Sequence, residues 1–180
     1  MDEREWLLFL SQLPVSPSSL RVMVWRRMHS VGAAGLQNGV WVLPRSDIHE
    51  QFFQDVLASV ERQGGSAQIF FAKAYRPAVQ ASILSRLQSD REQEYAEFIE
   101  QCDYFSKELE KETAAEKFTL AELEEGEKNM QRLENWLSKI QRRDFFGTEK
   151  GRAAQTQIEE CRAALAIYAA KVFEQQDFNS

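Results

Sequence analysis

A segment at residues 18–30, which reads SSLRVMVWRRMHS, holds the residue types best suited to bind an anion. Guanidinium groups hold phosphate through paired N–H donors, and an indole ring offers a flat face for stacking. At about 100° per residue, a helix would gather the apolar residues of this segment on one side. Arg21, Trp25 and His29 then lie on an adjoining stripe. Arg26 faces away, and Arg27 falls among the apolar positions. The apolar positions are Leu20, Val24, Met28 and Val31.

The amino end of this helix has the features of a small oxyanion site. Ser18 or Ser19 follows a proline and can accept hydrogen bonds from the first free N–H groups, so we expect the helix to start there. These N–H groups carry a partial positive charge, and Arg21 lies in the first turns. Phosphate, sulfate or chromate would suit this arrangement. The structural alternative is an ordinary capped helix with surface arginines.

A phosphodiester backbone is another ligand for the same helix. Arg26 could contact phosphate and Trp25 could stack on bases or pack on the next layer. Arg27 needs a partner, since an unpaired charge near a core costs several kcal/mol. We predict a structural ion pair for Arg27, with Asp144 as one partner.

A second cluster, QRRDFFG, covers residues 141–147. Arg142 and Arg143 fall at the carboxyl end of a predicted helix, where the helix dipole favours positive charge. That structural role accounts for both arginines. In a further hypothesis, the Phe145-Phe146 pair docks on the N-terminal layer and presents Asp144 to an arginine.

Composition and charge narrow the classes of function. The chain has 180 residues, of which 43% are apolar, as in a globular protein. Residues 1–75 carry seven Lys/Arg and seven Asp/Glu, whereas residues 76–180 carry 15 and 21, so the net charge of −6 lies in the second part. This split argues against nucleic-acid binding by the whole surface but permits a local basic patch. With no membrane-length apolar run and a charged start, MDERE, we expect a cytoplasmic protein that does not bind a membrane.

Residue patterns of enzymes and metal sites are missing. We find no phosphate-binding glycine loop and no nucleophile elbow, and His29 and His49 have no companion ligands at metal-binding spacing. Cys102 and Cys161 lack CxxC spacing, which argues against zinc or a redox pair and favours buried free thiols. We therefore expect a non-enzymatic protein with no cofactor and no metal.

The first part of the chain alternates strand and helix signals. Apolar WLLFL at residues 6–10 predicts a central strand, and the amphipathic helix that follows should stop at Gly32 or Gly35. The later elements are a strand GVWVLP, a helix capped by Ser46-Asp47 with Ile48, Phe52, Val56 and Val60 four apart, and a strand at residues 67–72. The pattern predicts an α+β domain over residues 1–75, a ferredoxin-like layer of three to four strands with two helices. A fourth strand lies at Ala33–Gln37, or the second strand bends into two.

The second part, residues 76–180, contains helix signals alone. Apolar residues at three-and-four spacing predict an antiparallel bundle of three long helices packed on the first domain. They are Tyr95, Phe98, Ile99, Cys102, Phe105 and Leu109, then Leu123, Met130, Leu133, Leu137 and Ile140, then Ile158, Cys161, Leu165, Tyr168 and Val172. A capping box begins at Thr119, and DFFGTEKG suits a hairpin connection between the last two helices.

Two segments of the chain resemble the N-terminal domain of the ChrB family, bacterial chromate-resistance regulatory proteins. They are WLLFLSQLPVSPSSLRVMVWRRMHSVGAAGLQNGVWVLP and EKFTLAELEEGEKNMQRLENWLSKIQRRDFFG. The resemblance implies a chromate-responsive regulator whose first layer is similar to the ferredoxin-like domain of PaaX-type repressors and of the small CRISPR-adaptation subunit, relatives that commonly form homodimers. Nuclease-like relatives carry an aspartate at the end of the first strand, where this chain has Ser11-Gln12-Leu13, so metal-dependent cleavage is not implied.

The length of this sequence allows two interpretations of the resemblance to ChrB proteins. Full ChrB proteins continue into a second domain to which chromate sensing is attributed, whereas this sequence ends at Ser180. It is then either part of a longer protein or a homologue that acts alone.

Our leading hypothesis is a non-enzymatic regulator that contacts DNA phosphate or an oxyanion such as chromate. Ser18 and Ser19 would present the helix start, Arg21 and Arg26 would make the contacts, and Trp25 would shape the surface. The alternative is a scaffold or assembly protein whose helices bind a protein partner.

Overall fold

The computed structural model describes residues 4–178, which form four strands and five helices. The elements are β1 (Glu5–Gln12), α1 (Ser19–Val31), β2 (Ala34–Gln37), β3 (Val40–Pro44), α2 (Asp47–Arg62), β4 (Ser66–Lys73), α3 (Pro77–Ala114), α4 (Leu120–Arg143) and α5 (Glu149–Phe178). The chain divides into two compact units, of which the first ends at Ser89 and the second begins at Asp90. The division lies inside α3, beyond the boundary after residue 75 that the change in pattern predicts.

The first unit is built on an antiparallel sheet with the strand order β2-β3-β1-β4. This order, combined with the element order βαββαβ, is that of the ferredoxin-like fold. Strand β1 is central, with Phe9 opposite Trp41 of β3 and Ile69 of β4. The predicted fold class is confirmed, and the fourth strand is β2, one of the two predicted alternatives.

Apolar residues of α1 and α2 complete the core of the first unit. Helix α1 buries Leu20, Val24 and Met28, as its pattern predicts. On α2, Phe53 lies 5.3 Å from Phe9 between ring centroids. The buried residues of α2 are Phe53, Val56 and Val60.

One part of the predicted apolar stripe on α2 is wrong. Ile48 is 79% exposed, and Phe52 is half-buried. Residues four apart advance by about 40° around a helix at each step, so a stripe of exact fours drifts off the buried side. The start of the predicted stripe therefore leaves the core, and Phe53 takes the place expected for Phe52.

The second unit has a core formed by all three of its helices. Every apolar position predicted for these helices is buried or packs against the core cluster. The cap at Thr119 is also confirmed, since its hydroxyl accepts a hydrogen bond from the Glu122 N–H at 3.2 Å. Because the pattern repeats over three long segments, the helical part was the easiest to predict.

Candidate functional site

The solvent side of α1 carries the residues that the sequence selects for binding. Arg21, Arg26 and His29 are exposed, and Trp25 is 54% exposed. Arg21 adjoins the buried stripe of α1, and the other three residues lie further round the helix. Helix α1 has three arginines and no acidic residue, so this surface combines positive charge with an indole ring. We call the surface formed by Arg21, Trp25, Arg26 and His29 the α1 face.

An aromatic row holds the indole of the α1 face in place. The ring of Trp25 lies 4.2 Å from the ring of His29, which in turn lies 5.6 Å from the ring of Trp41 in an edge-on arrangement. Such tilted and edge-on contacts are the favoured geometries of aromatic pairs. Sequence reasoning missed the roles of His29 and Trp41. The spacing of four between Trp25 and His29 could have indicated the first contact, but no sequence signal indicated the second.

Ser18 does not cap α1 with its side chain, which corrects the predicted serine cap. Ser18 has helical backbone angles, φ −75° and ψ −7°, and its hydroxyl makes no capping hydrogen bond. A capping hydroxyl needs an extended backbone, which Ser46 has at φ −160° and ψ 159° where it accepts from the His49 N–H. Ser18 and Ser19 are exposed at the amino end of α1.

Arg27 of α1 contacts α2 through hydrogen bonds and a ring contact with uncharged groups. Its Nη1 donates to Ser59 Oγ at 3.1 Å and to the Asp55 carbonyl oxygen at 3.5 Å, and its guanidinium lies 5.4 Å from the centre of the Phe52 ring. Arg27 is half-buried, so water still reaches part of its charge. Arg27 points toward the protein, as expected. Its partners, however, are a hydroxyl, a backbone carbonyl and an aromatic ring. The predicted pairing with Asp144, which belongs to the second unit, stays a prediction.

We expect Arg27→Ala to lower the free energy of unfolding by about 1–2 kcal/mol, because it removes two hydrogen bonds and a cation–π contact. Arg26→Ala is the matched control, since it removes an exposed arginine from the next position and should change stability by less than about 0.5 kcal/mol. Urea unfolding followed by circular dichroism measures both. Equal stability of the two variants would contradict the structural role of Arg27.

In the second unit, the cluster at residues 141–147 forms a charge network with α3. Arg143 donates from Nη2 to both carboxylate oxygens of Glu94 at 3.1 Å. Arg91 Nε lies 3.3 Å from Glu94 Oε2, close enough for charge attraction but without hydrogen-bond geometry. Burial lowers the pKa of Arg91, with Arg143 adding to the effect and Glu94 opposing it. Glu94 thus balances two largely buried guanidinium groups.

The Asp144 carboxylate organises the turn between α4 and α5. It accepts hydrogen bonds from the Tyr95 hydroxyl at 3.1 Å and from the Gly147 N–H at 2.9 Å. Gly147 has φ +69°, a conformation that favours glycine. Burial and the neighbouring Asp144 charge raise the pKa of Tyr95. Within the second unit, Asp144 therefore acts as a structural carboxylate.

The other residues of this cluster also have structural positions. Arg142 is exposed in the last turn of α4, where positive charge interacts favourably with the helix dipole, as predicted. Phe145 and Phe146 are half-buried and contact each other edge-on, with 6.2 Å between ring centroids. The hypothesis that this pair docks on the N-terminal layer requires a contact between the two units, and it stays a prediction.

We expect Glu94→Gln to lower the free energy of unfolding by about 2 kcal/mol, because Arg91 and Arg143 then lose their shared negative charge. The loss is smaller than for a fully buried pair, since the Glu94 side chain is 31% exposed. Glu100→Gln, an exposed position on the same helix, is the control. Thermal and urea unfolding measure the difference, and a Glu94→Gln variant as stable as the control would show that the network contributes nothing.

Residues 4–178 contain neither a metal-binding cluster nor a helix that could span a membrane. Within that range, no group of three or more His, Cys, Asp or Glu could hold a metal ion. None of the helices in the same range is long and apolar enough to cross a lipid bilayer.

The fold and the α1 face together define a ferredoxin-like unit with a basic, aromatic first helix, followed by a three-helix unit. The family described as protein ChrB, N-terminal, matches residues 21–178. The chain belongs to this ChrB N-terminal family, which confirms the resemblance found in the sequence.

The chain is also similar to individual proteins of known sequence or structure. Protein ChrB of Cupriavidus metallidurans is 26% identical over 167 residues, covering 92% of this chain and 48% of that protein. The chain therefore spans about half the length of this curated relative. A solved structure of an uncharacterized Mycobacterium tuberculosis protein has a TM-score of 0.40 and 15% identity, covering 97% of this chain and 62% of the other.

Proposed function

We propose that this chain is a non-enzymatic, cytoplasmic regulatory protein of the chromate-resistance type that contacts DNA phosphate through the α1 face. Membership of the ChrB N-terminal family supports the regulatory assignment. The observation that carries the DNA contact is the α1 face itself, in which two exposed arginines flank an exposed tryptophan. A homodimer, which would present two such faces, is part of this proposal.

The distribution of the arginines favours an extended ligand over a compact one. Arg21 and Arg26 are five positions apart, so they point about 140° apart around the helix and cannot converge on one small anion. Two phosphates of a nucleic-acid backbone can be contacted by side chains that diverge in this way. Trp25 lies between them and supplies an apolar, stackable surface.

The salt dependence of DNA binding tests this proposal. The probe is duplex DNA from the region upstream of the chain's own gene, compared with a scrambled duplex of equal length. Each phosphate contact that is removed should lower the slope of log K against log salt by about 1. We expect this change for Arg21→Ala and for Arg26→Ala. Arg152→Ala, an exposed arginine of α5, is the control for loss of charge and should leave the slope unchanged.

If both duplexes are bound and the slope of log K against log salt in Arg21→Ala and Arg26→Ala equals that of the wild type, the α1 face is excluded as the phosphate contact. Undetectable DNA binding, combined with the loss of stability expected for Arg27→Ala, would favour the alternative of a scaffold protein. A groove of about 260 Å³ on the second unit, lined in part by Tyr104, Phe105 and Trp136, is where such a protein partner would be sought.

A small oxyanion at the amino end of α1 is the second candidate. The observation that favours it is the lack of a capping hydrogen bond from Ser18, which leaves the first-turn N–H groups without that hydroxyl as acceptor. Ser18, Ser19 and Arg21 would surround the anion. Calorimetric titration with chromate, sulfate and phosphate should then give heat in the wild type and none in Arg21→Ala. Absence of heat and of any thermal stabilisation with all three anions would exclude this candidate.

A further inference from the structure

The two cysteines, which the sequence indicates as separate core residues, lie against each other in the second unit. Cys102 of α3 and Cys161 of α5 are both free and fully buried. The Cys161 thiol donates to the Cys102 carbonyl oxygen at 3.5 Å. The cysteines are 59 positions apart in the sequence, so only the packing of α3 beside α5 brings them together.

A third polar group, the Ser106 hydroxyl, lies 3.6 Å from the Cys161 sulfur. Hydrogen bonds from the Cys102 thiol and the Ser106 hydroxyl lower the pKa of Cys161 to about 7, although burial and the carboxylates of Asp103 and Glu160 oppose this effect. The hydrogen bond to Cys161 and burial raise the pKa of Cys102. In a coupled pair of this kind, one thiol ionises first and the other stays protonated. The Ser106 hydroxyl lies beside the Cys161 sulfur and can donate to its thiolate, so Cys161 is assigned as the nucleophilic member and Cys102 as the second thiol.

We propose that Cys102 and Cys161 form a redox pair, which hydroperoxides oxidise to a disulfide between α3 and α5. The Cys161 sulfur attacks one oxygen of hydrogen peroxide, the O–O bond breaks, and a sulfenic acid and one water result. The Cys102 sulfur then attacks the sulfenic sulfur, the S–S bond forms, and the hydroxyl group leaves with the Cys102 proton as a second water. Two thiols are oxidised and one peroxide is reduced to two waters.

The surroundings of the pair favour a disulfide as the end product. Both sulfurs belong to the apolar core cluster, with Phe98 and Phe105 on the same helix as Cys102. A disulfide is uncharged and keeps this core apolar, whereas a sulfinate would bury a charge. A second thiol in contact with the first also traps the sulfenic acid before further oxidation. This inference does not depend on the proposed contact of α1 with DNA.

Intact-mass analysis of the folded chain after treatment with hydrogen peroxide tests the pair. We expect the loss of two hydrogen atoms per chain, a proteolytic peptide pair that joins Cys102 to Cys161, and full reversal by dithiothreitol. The reaction rate should rise with pH, because the thiolate is the form of the cysteine that reacts. The proposal is overturned if the folded chain keeps two alkylatable thiols, or if Cys161 gains oxygen without a cross-link.

Three variants assign the roles within the pair. Cys102→Ser should leave Cys161 as a sulfenic acid that dimedone traps, and Cys161→Ser should abolish the reaction with peroxide. Ser106→Ala removes a hydrogen bond to the thiolate, so the rate at neutral pH should fall about fivefold and the midpoint of the pH profile should rise. A profile identical to the wild type would exclude Ser106 from this role. If a cysteine variant does not fold, the presence or absence of the Cys102–Cys161 disulfide in the peroxide-treated wild-type chain decides whether the proposal holds.

Discussion

The contact between Arg27 and α2 is the interaction on which the arrangement of the first helix depends. Helix α1 has one narrow apolar stripe and three arginines, so its rotation about its own axis decides which arginine meets the protein and which meets water. With Arg27 held by Ser59, the Asp55 carbonyl and the Phe52 ring, that rotation is fixed. Arg21 and Arg26 are then both exposed, and Trp25 lies between them against His29. The α1 face follows from these contacts of Arg27 together with the burial of the apolar stripe of α1 in the core.

In the second unit, charged side chains stabilise the connection between two helices. Arg143 and Asp144 lie where α4 ends and the turn to α5 begins. Arg143 pairs with Glu94 of α3, and Asp144 accepts hydrogen bonds from Tyr95 of α3 and from Gly147 of the turn. Buried ion pairs of this type contribute modestly to stability but are costly to break. The segment RRDFFG is thus explained within its own unit as the structure that fixes a helical turn. Arg21 and Arg26 of the α1 face, by contrast, are exposed to solvent.

Most elements of the fold could be predicted from the sequence because their signals are local. The apolar spacing of α4 and α5, the cap at Thr119 and the strand at WLLFL each depend on residues close in sequence. Contacts between elements could not be predicted in the same way. The sequence indicates that Arg27 needs a partner but not that Ser59 supplies a hydroxyl, since 32 positions separate the two residues.

Two further contacts between elements could not be predicted from the sequence. Trp41 reaches the His29 ring only because the sheet places β3 beside α1, and Cys102 meets Cys161 only because two long helices pack together. The serine cap failed for a local reason, since residue type alone does not determine whether Ser18 adopts the extended backbone that a cap requires. The exposed candidate residues of α1 can therefore be predicted from their types and spacing, whereas the residues that contact them are visible only in the structure.

Tryptophan fluorescence during titration with duplex DNA tests the central claim, that the α1 face binds a nucleic-acid backbone, most directly. Trp25 is the exposed indole at the centre of this face, whereas Trp136 lies in the second unit. The account predicts quenching that weakens as salt is added, that is lost in Trp25→Phe and that persists in Trp136→Phe. Absence of quenching in the wild type, or equal quenching in Trp25→Phe, would contradict it.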